Sequence, residues 1–333
     1  MRWRLPLLVL GFISLAFGVV GGLARLTPLQ VPLNVLAFHG ALMVCAFFGT
    51  LIALERAVAL GRLWAYAAPL CTGLGGLALV LGRPLEGFIG LTLGAVVLVA
   101  SSVAALARQR SLEMATLLAG AGSLLVGDIG VFFGFAAVPW WIAFFALTIG
   151  AERLELSRYL KRGPAVRAAF IAIAAGLLAA PLEPRLLGAF LVLLALWLAL
   201  YDLARVTVRQ TGLPRYVAAC LLAGYFWLAL GGALIALSVA YDAALHAFFL
   251  GFVFSMVFGH APVILPAVLR VRFPYHPVLY APLMLLHASL AVRLFWTQAG
   301  AWGNAAAIGL FILTAATLVM RLDARQSMPA RPG

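Results

Sequence analysis

The sequence predicts an all-α, polytopic membrane protein of about twelve transmembrane helices. Three observations predict it. The 333 residues are 65% hydrophobic and only 10% charged, whereas a soluble chain is roughly half apolar and about a quarter charged. Mean hydropathy is +1.11. The apolar residues fall in runs near the ~20 residues a helix needs to cross a bilayer, and charged or Pro/Gly clusters separate them.

In order, the runs are 5–26, 33–60, 64–82, 87–107, 113–136, 138–156, 166–182, 185–204, 214–239, 243–269, 277–297 and 301–320. The first follows Met1-Arg-Trp-Arg4 in the manner of a signal peptide. No small-x-small cleavage pattern closes it, so it reads as a retained helix. Residues 1–325 then form one integral membrane domain, with 326–333 as a short cytoplasmic tail.

Basic residues set the orientation, because cytoplasmic loops collect Lys and Arg. With the N-terminus inside, nineteen of the 23 fall on the inner side. They are Arg2, Arg4, Arg56, Arg62, Arg108, Arg110, Arg153, Arg158, Lys161, Arg162, Arg167, Arg205, Arg209, Arg215, Arg270, Arg272, Arg321, Arg325 and Arg331. Only Arg25, Arg83, Arg185 and Arg293 fall outside. Both termini are therefore expected in the cytoplasm. The net charge of +13 is a topology device and calls for no nucleic-acid partner; the expected surroundings are a lipid bilayer. Cys45, Cys71 and Cys220 lie in apolar spans without a CxxC pair, which suits buried packing.

Ionisable residues inside such spans are costly and mark function. In the tenth span His246 and His260 share an apolar stretch between Asp242 and Arg270. On an unbroken α-helix they fall within roughly 40° of one face and about 21 Å apart. His39 in the second span, His246 and Asp128 in the fifth all come about 5–10 Å below the outer end. An inner group comprises Glu55 and Arg56, then Glu152, Arg153 and Glu155, and His260. Pro262 and Pro266 follow His260, and each frees the carbonyl four residues back, which suits a broken helix lining a wet cavity. His287 lies mid-span in the eleventh run, and His276 in a loop. The polar spans 2, 6 and 10 are four apart, and Ala53-Leu-Glu55-Arg56 echoes Gly150-Ala-Glu152-Arg153, which hints at four-helix pseudo-repeats.

Two imidazoles at equal depth on separate helices suit the axial positions of one haem, with Phe38, Phe248, Phe249 and Phe252 as apolar walls. Asp128 is a candidate to orient a ligand imidazole. His260 and His287 are candidates for a second metal, with Met256 beside them. The competing reading is a hydrogen bond from each histidine to a neighbouring helix, and anchoring at the interface for the Glu-Arg pairs. A two-haem stack needs a second histidine 14 residues beyond His39, and that residue is Ala53.

The segment His39-Gly-Ala-Leu-Met43-Val-Cys-Ala-Phe-Phe-Gly49 resembles the second-helix HGxLMxxxFxG pattern of haem–copper oxidase and nitric oxide reductase large subunits. With His246-Ala-Phe-Phe-Leu-Gly251-Phe, it is similar to the NnrS family of twelve-helix bacterial membrane proteins. The resemblance implies a haem–copper-oxidase-like bundle in the bacterial inner membrane. It also implies haem held by His39 and His246, copper as a second cofactor, a redox partner or respiratory complex, and a link to nitric oxide or redox stress. Spans 6 and 7 hold no histidine, which argues against an oxidase-type binuclear centre. The alternatives are a secondary transporter with a His/Glu/Pro broken-helix site and an assembly partner of a respiratory complex.

Overall fold

The computed structural model describes residues 4–158, 160 and 163–326, the side chains of 321–326 excepted. Arg2, Lys161, Arg162, Arg331 and the tail from residue 327 lie outside the described residues, as do the side chains of Arg321 and Arg325. All regular structure among the described residues is helical. The principal helices are α1 (Leu5–Ala24), α2 (His39–Leu60), α3 (Leu63–Val80), α4 (Pro84–Arg108), α5 (Leu112–Phe133) and α6 (Val138–Leu156). They continue as α7 (Pro164–Ala179), α8 (Pro184–Tyr201), α9 (Leu213–Ala236), α10 (Tyr241–Leu269), α11 (Pro277–Phe295) and α12 (Thr297–Gln326). Each falls on one of the apolar runs read from the sequence.

Ten of these helices are long and apolar enough to cross a membrane, and the chain is a multi-pass membrane protein. The other two are α6, which carries Glu152, Arg153 and Glu155, and α7, which has 16 residues. Helices suit this setting because each backbone N–H and C=O is satisfied within its own segment, where hydrocarbon offers no partner. The outward stripes agree. Ile89, Leu93, Val96 and Val103 expose one face of α4, and Leu186, Leu193, Leu196 and Leu200 one face of α8. Water would make such stripes a liability, whereas a bilayer matches them.

Three helices form the centre. Two-thirds of the apolar stretch is buried in α2 and in α10, against half or less in the other eight membrane-length helices. In α6 every residue from Trp141 to Ala151 is buried. One phenylalanine from each meets at the middle. Phe48 lies 5.1 Å edge-to-face from Phe145 and 5.1 Å edge-to-face from Phe254. The same helices carry a repeat longer than the four-residue echo. Phe47-Phe-Gly-Thr-Leu-Ile-Ala-Leu-Glu-Arg56 in α2 aligns with Phe144-Phe-Ala-Leu-Thr-Ile-Gly-Ala-Glu-Arg153 in α6. Both phenylalanines, the isoleucine and the Glu-Arg pair are shared, so the two helices offer matching faces to the centre.

Two irregularities interrupt α-helical geometry, and neither is at the prolines. Residues Leu42–Phe48 of α2 and Ala247–Phe254 of α10 are π-helical. Each segment begins within three residues of a histidine, His39 and His246. Such wide turns occur mostly at functional sites. By contrast, α10 is helical without interruption from Ser255 to Leu269, through both Pro262 and Pro266. The broken helix expected there is not present. Proline removes one donor, but the surrounding turns retain theirs and neighbouring helices hold the segment.

Small residues let some helices touch backbone to backbone. A Cβ on Gly188 of α8 would sit 2.3 Å from the Ala236 nitrogen and 2.4 Å from the Gly232 oxygen of α9. Gly188→Val should therefore destabilise the protein by about 1–3 kcal/mol, the usual range for overpacking. Thermal unfolding in detergent measures it, and an unchanged Tm would contradict this contact.

Candidate functional site

A cavity of about 480 Å³ lies between α1, α2, α6, α10, α11 and α12, and His39 and His246 both line it. Backbone carbonyls aim the two rings. The Nδ1 of His39 lies 2.6 Å from the Gly18 carbonyl of α1, and the Nδ1 of His246 lies 2.7 Å from the Asp242 carbonyl. A carbonyl accepts only, so each Nδ1 carries the proton and donates. Each Nε2 is thereby the ring atom with a lone pair to offer. Gly22 makes room for His39: a Cβ there would stand 2.6 Å from the imidazole Cε1.

Two arginines share the cavity. Arg293 of α11 is buried, and its Nη2 donates to Asp242 Oδ2 at 3.0 Å and to His246 Nε2 at 3.2 Å. Arg25, just past α1, donates to the Leu36 and Ala37 carbonyls at 2.9 and 3.1 Å. Those carbonyls end the short helix Leu33–Ala37, which breaks at Phe38 before α2 begins. Arg25 and Arg293 are two of the four basic residues that defied the inner-side bias. Their place outside the inner-side bias is the sequence signal that marks them. Asp242 stood in plain sight as the last charge before His246.

The walls differ in part from expectation. Phe38 and Phe249 line the cavity, joined by Phe48, Phe88, Phe254 and Trp141. Phe248 and Phe252 are fully buried elsewhere in the core. Asp128 orients no imidazole. Its Oδ1 accepts from Trp141 Nε1 at 3.0 Å and from the Cys45 thiol at 3.2 Å, while its buried Oδ2 has no partner among the described residues. Asp128 thus fixes Trp141, and Trp141 faces the cavity.

A second cavity, also about 480 Å³, lies between α1, α2, α6, α10 and α12. Glu55, Glu152 and His260 line it, so the expected inner group does converge. Phe48, Phe254 and Ile308 line both cavities and form the partition. The Glu-Arg pairs divide their work. Arg56 is ion-paired with Glu152, which ties α2 to α6. Arg153 turns away to Asp202, donating through Nε at 2.8 Å and Nη2 at 3.0 Å, and Ser157 donates to the same carboxylate at 3.2 Å. Glu55 has no hydrogen bond or ion pair among the described residues.

His260 and His287 are committed to the protein. His260 donates from Nδ1 to the Met256 carbonyl at 2.9 Å and faces Arg153 Nη1 with Nε2 at 3.3 Å. Trp227 Nε1 donates to His287 Nδ1 at 2.9 Å, and His287 Nε2 then donates to Ser255 Oγ at 3.3 Å. Ser255 Oγ in turn donates to the Cys220 carbonyl at 2.7 Å. His287 keeps no lone pair for a metal, whereas His260 Nε2, like His246 Nε2, faces a guanidinium that would have to move aside. Among the described residues no three His, Cys, Asp or Glu side chains gather as a metal ion would need. His39 and His246 are the two histidines that line one cavity.

Arg153 and Asp202 are 5% and 1% exposed. Removing one partner strands the other charge, so Arg153→Ala or Asp202→Ala should destabilise by about 3–5 kcal/mol. The double variant Arg153→Met with Asp202→Leu should recover most of that loss. Unfolding in detergent reads all three, and equal stability of single and double variants would refute the pairing.

The chain belongs to the family described as Domain of unknown function (DUF8744), whose model matches residues 4–320. No curated protein and no solved structure matches it.

Proposed function

We propose that this family member is a haem-binding protein of the bacterial inner membrane, NnrS-like, serving nitric oxide or redox stress. In this reading all twelve helices cross, both termini are cytoplasmic and the bundle is of the haem–copper-oxidase type. One observation carries the proposal. Two histidines from separate helices line a single apolar cavity, each with Nδ1 tied to a backbone carbonyl.

The residues present fit haem. His39 and His246 would hold the iron through Nε2. A hydrogen bond at Nδ1 fixes the tautomer and orients the ring, as it does for ligand histidines generally. Arg25 and Arg293 supply the cations that two propionates require, and guanidinium pairs with carboxylate through two parallel bonds. Arg293 would give up its contact with His246 Nε2 and keep Asp242. Phe38, Phe48, Phe249 and Phe254 exclude water and offer ring faces and edges to a flat macrocycle. When bound, haem supplies one-electron chemistry, tuned by its axial ligands and by burial. Copper has less support, because among the described residues no three His, Cys, Asp or Glu side chains gather as a metal ion would need.

The test is the visible spectrum of protein purified from haem-replete cells. The expected result is a Soret band with the low-spin signature of two imidazole ligands. His39→Ala and His246→Ala should each lose that signature, and Arg293→Ala should lower haem content with the fold retained. Colourless wild-type protein, or a spectrum indifferent to both histidine variants, would overturn the proposal.

A further inference from the structure

The second cavity has no part in haem binding, yet it is as large as the first and falls within the roughly 300–1,000 Å³ typical of small-molecule sites. Three features define an occupant. The first is the route in. Leu5, Val9 and Phe12 of α1 and Ile312 and Met320 of α12 line the cavity and are themselves exposed. The opening is therefore on the apolar flank that the bilayer covers, and a visitor arrives from the lipid phase. The second is the wall. Phe47, Phe48, Phe145, Phe254, Phe258 and Phe311 surround the space, and Phe258 and Phe311 already stack at 3.9 Å and 7°. Such walls accept a flat ring face-on or edge-on.

The third feature is the polar end. His260 is engaged at both ring nitrogens, and Glu152 is ion-paired with Arg56. Of the ionisable side chains that line the cavity, Glu55 is the one without a hydrogen bond or ion pair among the described residues. A carboxylate there accepts a hydrogen bond from a neutral hydroxyl. The same carboxylate, with Glu152 beside it, repels the phosphate of an anionic lipid headgroup.

We infer that the second cavity binds a lipophilic hydroquinone, which enters between α1 and α12, lies among the phenylalanines and donates a ring hydroxyl to Glu55. The inference concerns binding and stands apart from the haem reading.

The test uses full-length protein in phosphatidylcholine nanodiscs with decylubiquinol under anaerobic conditions, and bound quinol is quantified after equilibrium dialysis. Protein from haem-replete and haem-starved cultures is compared, and quinol binding should be equal whether or not a Soret band is present. Glu55→Gln should weaken binding about tenfold, as expected when a hydrogen bond to a charged acceptor becomes a neutral one. Ala316→Trp, at an exposed position on the rim of the cavity, should block entry and weaken binding by a similar factor. Absent binding by wild type, or unchanged binding in both variants, would overturn the inference. Displacement of the quinol by added phosphatidylglycerol would also overturn it and assign the cavity to lipid.

Discussion

Phe48 of α2 holds Phe145 of α6 and Phe254 of α10 edge-to-face, and the arrangement of both cavities depends on that cluster. Each edge-to-face pair adds about 0.5–1.5 kcal/mol beyond the area it buries. The larger effect is geometric. Phe48 and Phe254, with Ile308, line both cavities and divide the space into two chambers, while Phe145 supports Phe48 from the second. Moving Phe48 or Phe254 would join a chamber edged by arginines to a chamber edged by glutamates. The matching Phe-Phe and Glu-Arg positions of α2 and α6 explain how two helices far apart in sequence bring equivalent side chains to the same level.

The two chambers contrast electrostatically. One has Arg25 and Arg293 against the single carboxylate of Asp242. The other is lined by Glu55 and Glu152, with Arg56 paired to Glu152 and Arg153 paired to Asp202. Arg153 and Arg56 occupy equivalent repeat positions but take different partners. An apparently symmetric pair of Glu-Arg motifs thus leaves Glu55 without a hydrogen bond or ion pair among the described residues.

Much of the fold was legible in the sequence, because the bilayer imposes a length and an apolar composition that single spans must meet. Every principal helix lies on an apolar run. The meeting of His39 and His246 was legible from their matched depth. What could not be read was who holds whom. Asp128 seemed a partner for an imidazole at its own depth, but depth says nothing of azimuth, and it faces Trp141 and Cys45. His260 and His287 seemed open to a metal because their partners come from other helices: Arg153 in one case, Trp227 in the other. Phe248 and Phe252, expected as walls beside Phe249, are fully buried in the core and do not line the cavity.

A π-helical stretch is equivalent to an α-helix carrying an extra residue, so α2 and α10 each hold an insertion hidden within a continuous helix. Deleting one residue between Ala247 and Phe254 would leave a chain that still reads as an apolar helix of sufficient length. It would also turn His246 by about 100° relative to everything downstream, away from the chamber it shares with His39. Chain length within these two segments is therefore a functional variable in its own right, separate from which residues occupy them.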